Sequence, residues 1–211
     1  MKPLLFLFFF VLFMLLASYL PALQKKPRHR LATRSSVVTK EMERLQQLKR
    51  KAAAGKIFAA RYGLSLHYVF LLDMGLPSGK ARFFIYDLQS DTMIAAGLVA
   101  HGSCNARFLE KPVFSNVPEC GCSSVGRYKT GHAYEGRFGL AFKLYGLDST
   151  NSNAYQRSIV LHSYRSVPDK DVYPQSIGNS LGCPMISPEF LAKAAGILQK
   201  EKKPLLLWIY Q

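Results

Sequence analysis

From residue 57 onward the apolar residues of this chain come in short runs, and turn-forming residues separate one run from the next. Short runs rich in aromatic and β-branched residues are typical of strands. We predict strands at 68–72, 82–87, 93–100, 138–145, 158–162 and 204–210. Only 187–200 has helical spacing, with Ser187 as the cap and Pro188 in the first turn. Residues 57–211 are therefore predicted to form one mainly β domain with short flanking helices.

The first 23 residues have a different character. Residues 3–23 contain no charged side chain, and basic residues follow them at once. An uncharged stretch of about 20 residues can cross a membrane as a helix, and it also resembles a long signal peptide. If the helix is retained, the basic residues behind it favour a cytoplasmic location for the C-terminal part, which conflicts with export of the domain. A cleaved signal peptide would remove this conflict. We predict either a signal peptide or an anchoring hydrophobic helix at 1–23, and the sequence leaves both open.

A basic segment links this stretch to the β domain. Val38, Met42, Leu45 and Leu48 fall at helical spacing among lysines and arginines. Gly55 is placed where a glycine commonly ends a helix. Residues 24–56 are predicted to form a basic helical stalk.

The net charge of the chain indicates which classes of binding partner to expect. The net charge is +15, from 28 Lys and Arg against 13 Asp and Glu. Such a surface favours an anionic partner, which could be nucleic acid, lipid headgroups or an acidic polymer such as a cell wall. No zinc-finger spacing, phosphate-binding glycine loop or other nucleic-acid signature is present. An anionic cell wall or lipid surface is the partner that we expect, and nucleic acid is not.

A candidate nucleophile lies near the end of the domain. Cys183 follows Ser180, Leu181 and Gly182, while His162 ends an apolar run upstream. A cysteine nucleophile needs a base or a cation to form its thiolate, and it needs open backbone N–H groups to receive the oxyanion. The alternative is a small buried thiol with an unrelated histidine. The pattern alone is weak.

A longer series of motifs supports the nucleophile. The chain resembles the murein L,D-transpeptidase catalytic domain family (YkuD-like), in the branch with proline after the catalytic cysteine. The matching positions, over roughly 65–200, are 72–73, 76–79, 87–88, 99–102, 114–116, 123–126, 130–131, 134–136, 139–140, 146–147, 157–162 and 180–184. The resemblance implies a β-sandwich or barrel fold.

The resemblance also implies a reaction and its residues. Cys183 would attack a peptidoglycan stem peptide and form an acyl-enzyme, with His162 as the base. Gly182, Ser180 and Ser163 would supply oxyanion or orienting groups. His101 is a possible cleft residue, although a structural histidine is the interpretation that we favour. An amine acceptor gives a cross-link and water gives L,D-carboxypeptidase activity, a choice that stays open. Thioester chemistry needs no metal and no ATP, so we expect no cofactor and no metal. We also expect a monomer in the periplasm or cell envelope, exported or anchored in the inner membrane by residues 3–23.

Three positions depart from the family pattern. Many members have glycine where Ser163 stands, histidine or tryptophan where Leu181 stands, and arginine or asparagine where Met185 stands. These departures are the basis of an alternative function, a non-catalytic cell-wall-binding protein that retains the fold.

Three further cysteines lie outside the nucleophile motif. In an exported protein we expect Cys104 to pair with Cys120 or Cys122, because the ring of a Cys-x-Cys pair is tight. The alternatives are a metal site with His101 or His132, and unpaired thiols.

Overall fold

The structure is a computed structural model that describes residues 28–211. The predicted signal peptide or membrane anchor at 1–23 lies outside the described residues. Among the helices of 28–211, none is long and apolar enough to cross a membrane. The β-rich part belongs to one compact unit, Leu48–Gln211.

Helix α1 (Arg28–Arg61) is the basic helix predicted from the sequence, but it runs past the expected end. Gly55 does not end it: a Cβ at Gly55 would lie 3.3 Å from Leu206 and 3.4 Å from Val69, so the glycine lets the helix approach the sheet closely. The helix ends at Arg61. Gly63 follows with a φ of +66°, which suits glycine, and Leu64 N–H donates to the carbonyl of Ala59.

Eight strands form one sheet in the order β3-β2-β1-β8-β4-β5-β6-β7. Their bounds are β1 Tyr68–Asp73, β2 Phe83–Asp87, β3 Thr92–Gly97, β4 Gly126–Gly136, β5 Gly139–Gly146, β6 Val160–Ser163, β7 Met185–Ile186 and β8 Leu206–Tyr210. The pairs β1–β8 and β6–β7 are parallel, and the other neighbours are antiparallel. A short 3₁₀ helix spans Ser149–Asn151. The mainly β fold class is confirmed.

Apolar side chains cover both faces of the sheet because alternate residues of a strand point to opposite sides. Phe70 and Leu72 of β1 pack in one buried cluster with helix α2 (Pro188–Leu198). Val69 and Leu71 pack in a second cluster with the part of α1 that follows Leu48. Ser187 caps α2 as predicted, since its Oγ accepts a hydrogen bond from Phe190 N–H at 3.1 Å.

Candidate active site

One cavity of about 650 Å³ lies at the β5–β6–β7 end of the sheet, and both Cys183 and His162 line it. His162 is paired with Met185 across the parallel β6–β7 ladder. Cys183 lies two residues before Met185, and Val160 lies two before His162; all four line the cavity. Alternate residues share one face of a strand, so the ladder brings the two predicted catalytic side chains to the same opening.

The sulfur of Cys183 contacts the backbone at the start of β6. Val160 N–H donates to Sγ at 3.4 Å, and the thiol donates to the carbonyl of Ser158 at 3.7 Å. Burial raises the pKa of the Cys183 thiol, while the Val160 N–H and the positive charges of Arg157 and Lys143 oppose that rise. The resting thiol is therefore protonated at neutral pH.

The His162 ring is fixed on two sides. Its Nδ1 lies 3.1 Å from the carbonyl of Ser163, which only accepts, so Nδ1 carries the proton of the neutral ring and Nε2 does not. Phe138 stacks on the imidazole at a centroid distance of 5.4 Å. Burial lowers the pKa of His162, which keeps the ring neutral at physiological pH. Within residues 28–211, no hydrogen bond joins the imidazole to the sulfur of Cys183.

The loop before Cys183 is held by Ser180. Ser180 Oγ accepts from Gly182 N–H at 3.2 Å and donates to the carbonyl of Cys183 at 2.6 Å. Gly182 has a φ of +116°, and a Cβ there would lie 2.8 Å from the carbonyl oxygen of Cys122. Gly182 N–H, expected to receive an oxyanion, is thus already bonded, whereas Cys183 N–H has no hydrogen-bond partner among the described residues. Leu181 is 78% exposed at the cavity rim.

A family model described as the L,D-transpeptidase catalytic domain matches residues 34–210. The chain belongs to this family. The solved structure of Pgp2, a helical cell shape determining protein from Campylobacter jejuni, matches with 14% identity and a TM-score of 0.44 over 68% of this chain and 47% of that one. An L,D-transpeptidase structure from Xylanimonas cellulosilytica matches with 12% identity and a TM-score of 0.38 over 69% and 61% of the two chains. The chain covers about half the length of Pgp2, and no curated protein matches it.

His101 lies behind the cavity of this L,D-transpeptidase domain and does not line it. The ring is fully buried, Arg82 donates to its Nδ1 at 2.9 Å, and its Nε2 donates to the carbonyl of Leu109 at 3.1 Å. The carbonyl of His101 accepts from Ser180 N–H at 2.9 Å, which ties the residue to the nucleophile loop. The geometry assigns His101 a structural place.

Cys104 and Cys122 form a disulfide, which confirms the prediction that Cys104 pairs with Cys120 or Cys122. Cys120 is a free thiol, and its sulfur lies 3.3 Å from Nη2 of Arg157. Among the described residues, no group of three or more His, Cys, Asp and Glu side chains is arranged to hold a metal ion.

Phe138 and Arg157 line the cavity and are not among the predicted site residues. Phe138 lies in the turn between β4 and β5 and covers the His162 ring. Arg157 lies before β6 and reaches the loop that contains the disulfide. Arg157 belongs to the family motif, but its contacts are distant in sequence, so only the fold reveals them.

Proposed function

We propose that the chain is a cysteine-dependent L,D-transpeptidase that acts on peptidoglycan stem peptides through an acyl-enzyme on Cys183. The observation that carries the proposal is the convergence of Cys183 and His162 on one open cavity in a domain of this family. The family implies peptidoglycan as the substrate. The positions of the thiol and the ring support acyl transfer.

The reaction begins with proton transfer during attack. Cys183 turns from the Ser158 carbonyl towards the imidazole, and Nε2 of His162 takes the thiol proton as sulfur bonds to the substrate carbonyl carbon. Hydrogen bonds of this kind are often long in a free enzyme and tighten when substrate binds. The tetrahedral intermediate then expels the amine of D-alanine, which receives the proton from His162. An amine or water breaks the thioester and releases Cys183.

Backbone groups stabilise the charges that develop. The free N–H of Cys183 donates to the oxyanion, and one such donor contributes about 3 kcal/mol. The carbonyl of Ser163 holds Nδ1–H, so that Nε2 stays the acceptor. Every residue type has a backbone carbonyl. Ser163 can therefore orient the His162 ring as well as the glycine that many family members have at this position.

The charge of the cavity suits an acidic substrate. Arg107, Arg137 and Arg157 line it, and none of its lining residues is Asp or Glu. Stem peptides carry free carboxylates, which arginine binds well. We infer that residues 1–23 deliver the domain to the cell envelope as a signal peptide or anchor, where the basic surface of a monomer contacts the wall or anionic lipid.

The test is turnover of a disaccharide tetrapeptide by the full chain, followed by mass spectrometry. Loss of D-alanine indicates hydrolysis, and a dimer indicates cross-linking. We expect no product from Cys183→Ala and a rate at least about 100-fold lower from His162→Ala. His132→Ala, which alters an exposed histidine outside the proposed mechanism, should retain turnover. Equal activity of wild type and Cys183→Ala would refute the proposal.

A non-catalytic wall-binding protein is the second candidate. The thiol proton is directed to Ser158 rather than to His162, which is the arrangement expected of an inert cysteine. That candidate predicts co-sedimentation with insoluble peptidoglycan without any product from the tetrapeptide.

A further inference from the structure

The guanidinium of Arg157 is fixed within the protein beside the cavity. Its Nη1 donates to the carbonyl of Ser115 at 2.9 Å and to Ser124 Oγ, and its Nη2 donates to the carbonyl of Cys122. Nη2 also lies 3.3 Å from Cys120 Sγ. These contacts hold both ends of the planar group, so its charge has one defined position.

No carboxylate neutralises this charge within the described part of the chain. Arg157 forms no salt bridge there, in contrast to Arg127, which pairs with Asp148. The acceptors of Arg157 are carbonyls, a hydroxyl and a sulfur. Neutral acceptors do not cancel the charge, so the cavity beside Arg157 remains electropositive.

The charge also lies against the nucleophile loop. Nη2 is 3.4 Å from the point where a Cβ on Gly182 would stand, and Gly182 directly precedes Cys183. Arg157 and Cys183 line the same cavity. A fixed cation beside the loop that carries a thiol favours the anionic form of that thiol.

We propose that Arg157 is a positioning residue whose fixed charge stabilises the thiolate of Cys183 during acyl transfer. The inference rests on the proposed role of Cys183 as the nucleophile. The positive charge of Arg157 lowers the pKa of Cys183 against the burial that raises it. Arg157 thus offsets part of the desolvation that a buried thiolate suffers.

The other charged and titratable groups around Cys183 differ from Arg157 in position. Lys143 on β5 acts in the same direction, but its Nζ lies over the Tyr134 ring, 4.4 Å from the centroid. The remaining groups are His162 on β6, Tyr128 on β4, and Arg107, Arg137, Tyr134 and Tyr164 along the cavity.

The test measures the thiol directly. Iodoacetamide alkylation of the full chain is followed from pH 5 to 11, and peptide mapping separates Cys183 from Cys120. We expect Arg157→Gln to raise the midpoint for Cys183 by about one pH unit. Arg165→Gln removes the same charge from an exposed residue and should leave the midpoint unchanged. An Arg157→Gln protein that reacts more slowly with an unchanged midpoint would show a merely structural role and overturn the proposal.

Arg157→Lys covers the case in which the glutamine variant does not fold. Lysine keeps the charge with fewer donors, so its midpoint should stay within about half a unit of wild type. A rise of one unit or more in a folded lysine variant overturns the proposal. Alkylation needs no peptide turnover, so failure of the transpeptidase proposal would show in the tetrapeptide assay while the Arg157 effect is judged separately.

Discussion

Protonation of His101 should destabilise the fold. The imidazole is fully buried between the Arg82 guanidinium and the carbonyl of Leu109. Burial and, secondly, the positive charge of Arg82 lower the pKa of His101 to about 4. A proton on Nδ1 would turn the acceptor of the Arg82 hydrogen bond into a second donor.

The magnitude follows from proton linkage. The unfolded chain binds a proton at His101 near pH 6.5, whereas the folded chain binds it near pH 4. Between these values the unfolded state holds more protons, so stability is full above pH 6.5 and falls as the pH drops towards 4. The shift corresponds to about 3 kcal/mol of unfolding free energy.

The assay is urea unfolding at pH 7 and pH 4 for wild type and His101→Gln. The variant should be less stable at pH 7, and its loss of stability on acidification should be smaller than that of wild type by about 3 kcal/mol. His132→Gln, at an exposed histidine, serves as the control and should retain the wild-type difference. If wild type and His101→Gln lose the same unfolding free energy between pH 7 and pH 4, His101 is not the group responsible.

Three more outcomes are expected. Gly182→Ala should reduce stability by about 2 kcal/mol, because the added Cβ meets the Cys122 carbonyl at a φ of +116°; an unchanged thermal midpoint would contradict this. Alkylation of Cys183 should still accelerate above pH 8.5, the ordinary thiol value, because burial raises its pKa; a plateau by about pH 8 would exclude it. Cys104→Ser should lower the unfolding free energy by about 3 kcal/mol through loss of an 18-residue cross-link, and equal urea midpoints for wild type with and without reductant would argue against it.

The sequence predicts six of the eight strands and misses β4 and β7. Strand β4 escapes prediction because glycines at 126, 131 and 136 and charged residues break its apolar alternation. It forms because its two neighbours, β5 and β8, supply ladder partners on both sides. β7 has only two residues, too few for a sequence pattern to predict a strand. It is a strand because it pairs with β6.

Side-chain contacts were harder to predict than residue types. Cys183 and His162 are visible as residue types in a motif, yet the direction of the thiol depends on the Ser158 backbone. For His101 the sequence favours a structural role over a place at the cleft, but only the fold reveals its contact with Arg82, 19 residues earlier. Gly55 looked like a helix end, and only the packing of α1 on the sheet explains why it is internal.

The most direct test of Cys183 as the nucleophile is its covalent capture. The full chain is incubated with a carbapenem, its intact mass is measured, and the labelled peptide is mapped. We expect one adduct per chain, located on Cys183, with none on Cys183→Ala and slow formation on His162→Ala. An unmodified wild-type protein, or an adduct that persists on Cys183→Ala, would contradict the claim that this thiol is the nucleophile.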